Sequence, residues 1–274
     1  MSALPLFEIV PNISEGNDPR VIEACAEAIV RAGARVIHRT SDRIHHRSVI
    51  TAVGSRDAVL AASVALAGTA VQHVDLRTHS GVHPRIGALD VLPFIPLRNA
   101  SPADAAALAH EAGQQIWKTH RIPSYYYDAA ATVTGGRTLP EVRRGGIPFD
   151  NGDLAHASAG AIAIGARQFL IAFNIELATV DLAFARTIAR RIRERDGGLK
   201  TLRALGLARA PGIVQVSFNI TDFEATPIYR VVELVRALAA ESGIAVVRSE
   251  LIGLAPRRAL QATAAYYAGD EARL

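Results

Sequence analysis

Cysteine is nearly absent from this sequence of 274 residues, which contains only Cys25. A single thiol cannot form an internal disulfide, so a disulfide-stabilised framework is excluded. Cys25 lies in an apolar run at residues 21–26, whereas a catalytic thiol requires an electropositive and partly open setting. We therefore expect Cys25 to be a buried structural residue. A chain of this length buries enough apolar surface to fold without covalent cross-links.

Long hydrophobic runs are also absent, although 50% of the residues are apolar. No run reaches the roughly 18–20 residues that a membrane span requires. Glu8 interrupts the first short apolar stretch, and this pattern is not typical of a signal peptide. We therefore expect a cytoplasmic protein that does not bind membranes.

Negative charge is in slight deficit, so the chain has a net charge of +4 and an isoelectric point near 9.6. The densest basic segment, residues 186–195, is interspersed with apolar residues, which is typical of the solvated face of a helix. Aromatic residues are scarce and cluster only at residues 125–127. A ferredoxin-like RNA-binding module needs paired aromatic side chains beside basic ones, so we do not expect nucleic acid as a partner. A mild positive excess suits small acidic substrates.

Hydrophobic periodicity and turn residues predict strands and helices along the whole chain. In the first half the predicted strands are residues 6–10, 35–38, 48–53, 91–96 and 124–127, and the predicted helices are 19–32, 56–70 and 102–120. Asn17 or Asp18 is placed to cap the first helix, and Ser101 the third. In the second half the predicted strands are 169–174, 202–208, 213–219 and 245–248, and the predicted helices are 180–195, 227–241 and 256–267.

The order of elements predicts the fold class. The second half runs strand–helix–strand–strand–helix–strand, which is the order of a ferredoxin-like sandwich. The first half has the same order with insertions. We therefore predict an α/β (α+β) protein with two ferredoxin-like α/β sandwich subdomains in tandem, residues 1–168 and 169–274. Residues 135–151, rich in Gly, Arg and Pro, are predicted to form a long surface excursion.

Polar side chains with catalytic chemistry concentrate at residues 78–90, where His79, His83, Arg85 and Asp90 lie among glycines and a proline. Such a mixture indicates a loop that holds polar groups over a cleft. A histidine there can act as general acid and base, and an arginine can bind a carboxylate through two hydrogen bonds. Two alternatives stay open. One is that the histidines are ordinary surface residues. The other is a metal site formed by His79, His83 and Asp90, which the glycines and proline disfavour because this spacing needs a helix.

Three further stretches contain candidate binding residues. At residues 40–48, Asp42 could orient a histidine and Arg47 could bind a carboxylate, although a charged hairpin turn is an equal alternative. At residues 10–16, Asn12 and Ser14 lie between a strand and a helix, where backbone amides attract anions, and the alternative is a capping turn. Residues 150–160 are small and glycine-rich, so their backbone can approach a flat ligand closely, and the alternative is a flexible connector.

Taken together, these stretches resemble the formiminotransferase family. The matching segments, in the family's order, are residues 10–16, 45–48, 81–90 followed by 93–96, 137–140 and 159–174. The core Gly-x-His-Pro-Arg-x-Gly-Ala-Leu-Asp at residues 81–90 is the most specific of them. The resemblance covers nearly the whole chain and implies two ferredoxin-like subdomains and a homodimer.

The resemblance also implies the activity. In the family a formimino group passes from N-formiminoglutamate to a ring nitrogen of tetrahydrofolate, which is a co-substrate, and the catalytic histidine corresponds to His83. Asp42 is then a candidate for orienting His83, and Asn12, Arg47 and Arg85 are candidates for binding substrate, the arginines through carboxylates. The family's folate loop corresponds to Asn151, Gly152, Asp153, Leu154, Ala155, His156, Ala157, Ser158, Ala159 and Gly160. The resemblance implies no metal.

Two positions depart from the family pattern. Val82 stands where the family usually has Glu, and His46 stands where it usually has Asn. Both lie beside proposed active-site residues, which leaves open a donor different from the family standard. A formyl donor such as N-formylglutamate, or another formimino amino acid, is therefore an alternative. A metal-dependent hydrolase is a more distant one.

Overall fold

Two separate β-sheets organise the chain. The computed structural model describes residues 4–43, 45–80 and 84–269. The chain divides into two compact units, Met1–Gln168 and Phe169–Leu274, and each has its own sheet and hydrophobic core. The predicted fold class, an α+β protein with two ferredoxin-like subdomains, is confirmed. Among the residues that the structure describes, no helix has both the length and the apolar character of a membrane span.

The first unit contains seven strands and four helices within its described part. They are β1 (Leu6–Ile9), β2 (Asn12–Ile13), α1 (Pro19–Arg31), β3 (Arg35–Asp42), β4 (Arg47–Gly54), α2 (Arg56–His73), β5 (Leu89–Arg98), α3 (Pro102–His120), β6 (Ser124–Asp128), α4 (Leu139–Arg144) and β7 (Ile162–Ala166). Antiparallel pairing gives the order β3-β4-β1-β5, which is the ferredoxin-like arrangement. The short strand β2 lies between β4 and β5. Parallel pairing adds β7 and then β6 beyond β5.

Local sequence signals account for the helix starts. The side chain of Asp18 accepts a hydrogen bond from the backbone of Arg20 at 2.9 Å and so caps α1. Ser101 and Asp104 form a reciprocal capping box at α3. The predicted caps are therefore confirmed. Cys25 is fully buried in the core against which α1 packs, as predicted, and burial raises the pKa of its thiol to about 12.

The segment that follows β6 differs from the prediction. Residues 135–151 are not simply a surface excursion, because they contain helix α4, which begins with a capping box between Thr138 and Glu141. The segment is also tied down by a buried ion pair of Arg137 with Asp150 at 2.5 Å. Strand β7 is absent from the prediction. As a central parallel strand buried at every position, it is continuously apolar and has no period-two pattern to reveal it.

The second unit has four strands and three helices within its described part. They are β8 (Ile171–Leu177), α5 (Leu182–Ile192), β9 (Leu202–Ala210), β10 (Ile213–Ile220), α6 (Ile228–Ala240), β11 (Val246–Ile252) and α7 (Arg257–Tyr267), with a short 3-10 turn at Glu194–Asp196. All pairing is antiparallel in the order β11-β8-β10-β9, as in a ferredoxin-like sheet. Strict alternation of buried and half-buried residues along β10 shows one face against the helices.

Candidate active site

Three of the four candidate stretches meet where β2 lies between the start of β4 and the start of β5. Asn12 is opposite Val49 of β4 on one side and Val91 of β5 on the other. The backbone amide of Ser14 donates to the carbonyl of Ala88 at 2.8 Å. The short strand therefore brings segments that are far apart in the sequence to one place in the sheet.

The centre of this region is a buried charged group, here called the Asp90 cluster: Asn12, Arg47, Asp90 and Arg143. Asp90 is completely buried at the start of β5. One of its carboxylate oxygens accepts hydrogen bonds from Arg47 at 2.5 Å and from Arg143 at 2.9 Å. Arg47 also donates to the side-chain oxygen of Asn12 through Nε and Nη2, at 3.0 and 2.5 Å. The second oxygen of Asp90 accepts the backbone amide of Ile86 at 2.8 Å.

The two arginines of this cluster are largely shielded from solvent. The side chain of Arg47 is 15% exposed and that of Arg143 is 21% exposed. Burial lowers the pKa of the Arg47 guanidinium, and Asp90 opposes that change. The positive charges of Arg143 and Arg85 also lower the pKa of Arg47, so these three guanidinium groups are close enough to influence one another. Shielding from water strengthens the field that such groups exert on an anion.

A second group, here called the histidine cluster, adjoins the first: Glu15, His46, His79 and Arg85. Arg85 donates to Nδ1 of His79 at 2.5 Å and to the backbone carbonyl of His45 at 3.2 Å. The rings of His46 and His79 lie edge to face with centroids 3.9 Å apart. Nδ1 of His46 accepts the amide of Gly16 at 3.2 Å and lies 3.5 Å from the Glu15 carboxylate. The predicted substrate-binding residue Arg85 is thus held by His79. The sequence analysis named His79 only as a candidate acid/base, surface or metal-binding histidine.

His46 lies in a turn with a left-handed backbone conformation. Its φ is 49°, in the left-handed region, which asparagine and histidine adopt more readily than most residues. Close by, a side chain at Gly16 would place Cβ 2.3 Å from the carbonyl oxygen of Asp42, so only glycine fits there. Histidine at position 46 is therefore compatible with the backbone conformation of this turn.

Glu15, His46 and His79 could in principle bind a metal, since their ligand atoms all lie within 4.8 Å of one another. The chemistry of the donors fits poorly. Because Arg85 donates to Nδ1 of His79, the neutral ring has its proton on Nε2, and that atom is buried with no hydrogen-bond partner among the described residues. Burial, with His46 and Arg85, lowers the pKa of His79. A cation here would have to displace a proton or a guanidinium group. Asp90, in the metal set considered from the sequence, binds arginines instead.

Of the predicted pair Asp42 and His83, the structure describes only Asp42. His83, together with residues 81 and 82, lies outside the described residues, so its catalytic role stays a prediction. Asp42 is the last residue of β3 and is half-exposed. Its carboxylate accepts the backbone amide of His45 at 2.8 Å and lies 3.0 Å from Nδ1 of the same residue. The predicted contact between Asp42 and His83 likewise stays a prediction.

The loop from Asn151 to Gly160 is anchored at both ends. The side chain of Asn151 donates to the carbonyl of Gly113 at 2.7 Å. At the other end Gly160 pairs with Gly87 in an antiparallel bridge, and a Cβ on Gly160 would lie 2.2 Å from the carbonyl oxygen of Ile86. The structure therefore brings the fourth candidate stretch against residues 86–88 of the first. Folate binding by this loop is not tested by these contacts and stays a prediction.

Arg143 is the functional candidate that sequence reasoning missed. It lies in α4, inside the segment that was predicted to be an irregular excursion. The Thr-Leu-Pro-Glu sequence at residues 138–141 is a capping-box signal that could have revealed this helix. Nothing in the sequence indicates that Arg143 reaches Asp90, because that contact spans 53 residues.

Comparison with known proteins agrees with the geometry. The family described as "Formiminotransferase domain, N-terminal subdomain" matches residues 6–167, and "Formiminotransferase domain" matches residues 172–274. The chain is 36% identical to glutamate formimidoyltransferase of Thermoplasma acidophilum over 96% of this chain and 92% of that protein. It is also 36% identical to the enzyme of the same name from Streptococcus pyogenes, over 96% and 93%.

A longer relative matches over part of its length. Formimidoyltransferase-cyclodeaminase of Rattus norvegicus is 37% identical over 97% of this chain and 53% of the relative. The two family matches together cover nearly the whole sequence, and the two shorter relatives are matched over almost their full length. This chain therefore belongs to the formiminotransferase family.

Proposed function

We propose that this protein transfers a formimino group from N-formiminoglutamate to tetrahydrofolate. The proposal is supported by membership of the family and by the names of the relatives that match over more than nine-tenths of their length. Residues 1–168 and 169–274 form its two subdomains, tetrahydrofolate is its co-substrate, and the active state is a homodimer, as the family resemblance implies.

The observation that carries the proposal is the clustering of cationic side chains around the segment that follows His83. Arg85 is two residues after His83, and Asp90 holds the backbone of Ile86 while it binds two arginines. N-formiminoglutamate is a dicarboxylate, and arginine is the side chain best suited to carboxylates. A site with three neighbouring guanidinium groups therefore suits this donor.

In the proposed reaction His83 moves one proton. The folate amine attacks the amidine carbon of the donor, and a carbon–nitrogen bond forms. His83 accepts the proton that the attacking amine must lose. It then gives that proton to the glutamate nitrogen, the bond from carbon to that nitrogen breaks, and the carbon–nitrogen double bond re-forms on folate. A histidine of near-neutral pKa suits both steps, and holding the two substrates together supplies much of the rate.

The test is a turnover assay with tetrahydrofolate, using N-formiminoglutamate and N-formylglutamate in parallel. We expect turnover by the wild type and its loss in His83→Ala, with folate binding by titration calorimetry unchanged. His73→Ala is the matched control, because His73 is an exposed residue at the end of α2. It should retain wild-type turnover.

The other results of the turnover and folate-binding assays distinguish the remaining hypotheses about the donor. Turnover with N-formylglutamate alone would assign the alternative donor class to this chain, as the departures at Val82 and His46 allow. Folate binding without turnover of either donor would indicate a changed donor. If neither turnover nor folate binding is found in the wild type, the proposed function is wrong.

A further inference from the structure

His79 lies four residues before the proposed acid/base His83 in the sequence, and its ring has a defined tautomer. Its Nδ1 atom is 2.5 Å from a guanidinium nitrogen of Arg85. A guanidinium group has donors and no acceptor, so Nδ1 must accept this hydrogen bond and carries no proton. The imidazole is therefore neutral, with its single proton on Nε2.

The surroundings of His79 stabilise this neutral form. Burial of the ring lowers the pKa of His79, and the neighbouring His46 and Arg85 lower it further, while Glu15 opposes the change. The rings of His46 and His79 are in contact, with centroids 3.9 Å apart. A second proton on His79 would break the hydrogen bond from Arg85 and place two positive charges side by side. His79 is thus suited to donating a hydrogen bond and not to transferring a proton.

The proton on Nε2 of His79 has no acceptor in the described part of the chain, although this atom is buried. Nearly all buried donors in proteins are paired, and leaving one unpaired costs about 1–3 kcal/mol. The position is adjacent to Arg85, a predicted substrate-binding residue, and close in sequence to His83. A buried donor in this place indicates that the substrate supplies the acceptor.

The proposed reaction creates such an acceptor. The formimino group of the donor substrate is an amidinium cation at neutral pH, and both of its nitrogens share their electron pairs with the carbon. When the folate amine adds to that carbon, the carbon–nitrogen double bond becomes single and the former imino nitrogen gains a lone pair. A hydrogen bond to this lone pair exists only in the tetrahedral intermediate and the transition states beside it. Such an interaction raises kcat and leaves substrate binding unchanged.

We propose that Nε2–H of His79 donates a hydrogen bond to the former imino nitrogen of the tetrahedral intermediate, which makes His79 a second catalytic residue. The hydrogen bond is lost again when the carbon–nitrogen double bond re-forms on folate. Arg85 is a positioning residue for this step, because its contact with Nδ1 determines which ring nitrogen carries the proton. This inference rests on the proposed function and goes beyond it, since the proton transfer there is assigned to His83 alone.

The experiment separates the roles of the two ring nitrogens. His79→Asn retains an acceptor near the Nδ1 position for Arg85 but has no atom at the Nε2 position, whereas His79→Gln places an amide NH2 group near the Nε2 position. His73→Asn is the matched control, because His73 is exposed at the end of α2. Turnover of N-formiminoglutamate with tetrahydrofolate gives kcat and KM for each protein. Fluorescence of Trp117, the only tryptophan, shows whether each variant is folded.

We expect His79→Asn to lower kcat about 10–100-fold with little change in KM for either substrate. The loss is smaller than for a typical oxyanion-hole donor, because the acceptor here is a neutral amine. His79→Gln should recover part of kcat, and His73→Asn should match the wild type. Nitrogen-15 NMR of protein labelled at histidine, with His79→Asn used to assign the signals, should show a neutral His79 ring protonated on Nε2 near neutral pH.

Several results would overturn the inference while the proposed function stands. They are a folded His79→Asn variant with wild-type kcat, a rise in KM without a fall in kcat, and a His79→Gln variant no faster than His79→Asn. An NMR spectrum with the proton of His79 on Nδ1, or with a charged ring near neutral pH, would also contradict it. A wild type that does not turn over N-formiminoglutamate would instead remove the proposed function, and this inference with it.

Discussion

Each unit of the chain contains a buried carboxylate that binds two arginines, and the comparison separates a shielded ion-pair cluster from one whose arginines are exposed. In the first unit Asp90 binds Arg47 and Arg143. In the second unit Glu176 of β8 binds Arg248 of β11 at 2.9 Å and Arg209 of β9 at 3.5 Å. The two carboxylates are almost equally buried, and each pairs with two arginines.

The difference lies in the arginines. The side chains of Arg209 and Arg248 are 48% and 53% exposed, so water solvates their charges whether or not Glu176 is present. The arginines of Asp90 are shielded, and Arg47 needs Asn12 as a further partner. Two similar pairings therefore have different consequences, because the energetic cost of losing the carboxylate depends on how far its guanidinium partners are shielded from water.

The sharpest test of this comparison is Asp90→Asn. Loss of the charge would leave two shielded guanidinium groups without their carboxylate, and removing one partner of a buried pair costs about 3–5 kcal/mol. We expect the free energy of unfolding of the first unit to fall by that amount, measured with urea by the fluorescence of Trp117 in α3. A loss below about 1 kcal/mol, as at a surface pair, would contradict the comparison.

Glu8 extends the comparison to a buried carboxylate in a less favourable setting. It lies on β1 and is nearly fully buried, and desolvation raises its pKa to about 7 despite the attraction of Arg167. Because the folded-state pKa is raised from the usual value of 4.5, its stabilising contribution is complete below pH 4.5 and is lost as the pH rises through 7.

Glu8→Gln should therefore remove this pH dependence. We expect the variant to gain about 3 kcal/mol relative to the wild type between pH 4.5 and pH 8, at about 1.36 kcal/mol per unit of pKa shift. The measurement is urea unfolding at both pH values with Trp117 fluorescence. Parallel curves for the two proteins would show that the Glu8 carboxyl ionises normally.

The smallest effect is expected at Glu176→Gln. Its arginines stay hydrated, so we expect the second unit to lose about 1 kcal/mol or less at neutral pH, and less still at high salt. Hydrogen bonding by Arg248 lowers the pKa of Glu176, so this contribution is present above its ordinary pKa and fades as the pH falls. Hydrogen exchange of the β8 and β10 amides measures this change in the stability of the second unit. A loss of stability as large as that of Asp90→Asn would remove the distinction between the two ion-pair clusters.

Much of the fold could be predicted from local signals. Helix α3 begins at the predicted residue because Ser101 and Asp104 form a capping box, which four consecutive residues determine, and it also ends at the predicted residue. Strand β10 was predicted because its side chains alternate between two faces. Helix α4 and strand β7 were missed, since α4 has only six residues and β7 has no alternation. Short or fully buried elements have weak periodicity.

Within the candidate site, the sequence indicated individual residues but not the contacts between them. Arg47 and Arg85 could be selected from the sequence because they lie in short polar stretches beside histidines and an aspartate. The contacts that organise them could not be selected. Arg47 meets Asp90 across 43 residues, and Arg85 is held by the side chain of His79 and by the backbone carbonyl of His45, which is 40 residues away in the sequence.

The amino-acid sequence by itself determined most of the order of helices and strands, the caps of α1 and α3, the absence of an internal disulfide and the motif that indicates the family. These properties depend on residues that are close in the chain. Only the tertiary structure decided which arginines share Asp90 and that Glu176 makes a similar pair with exposed arginines. The physical reason is that the strength of a charge depends on its burial, and burial is set by packing between distant segments.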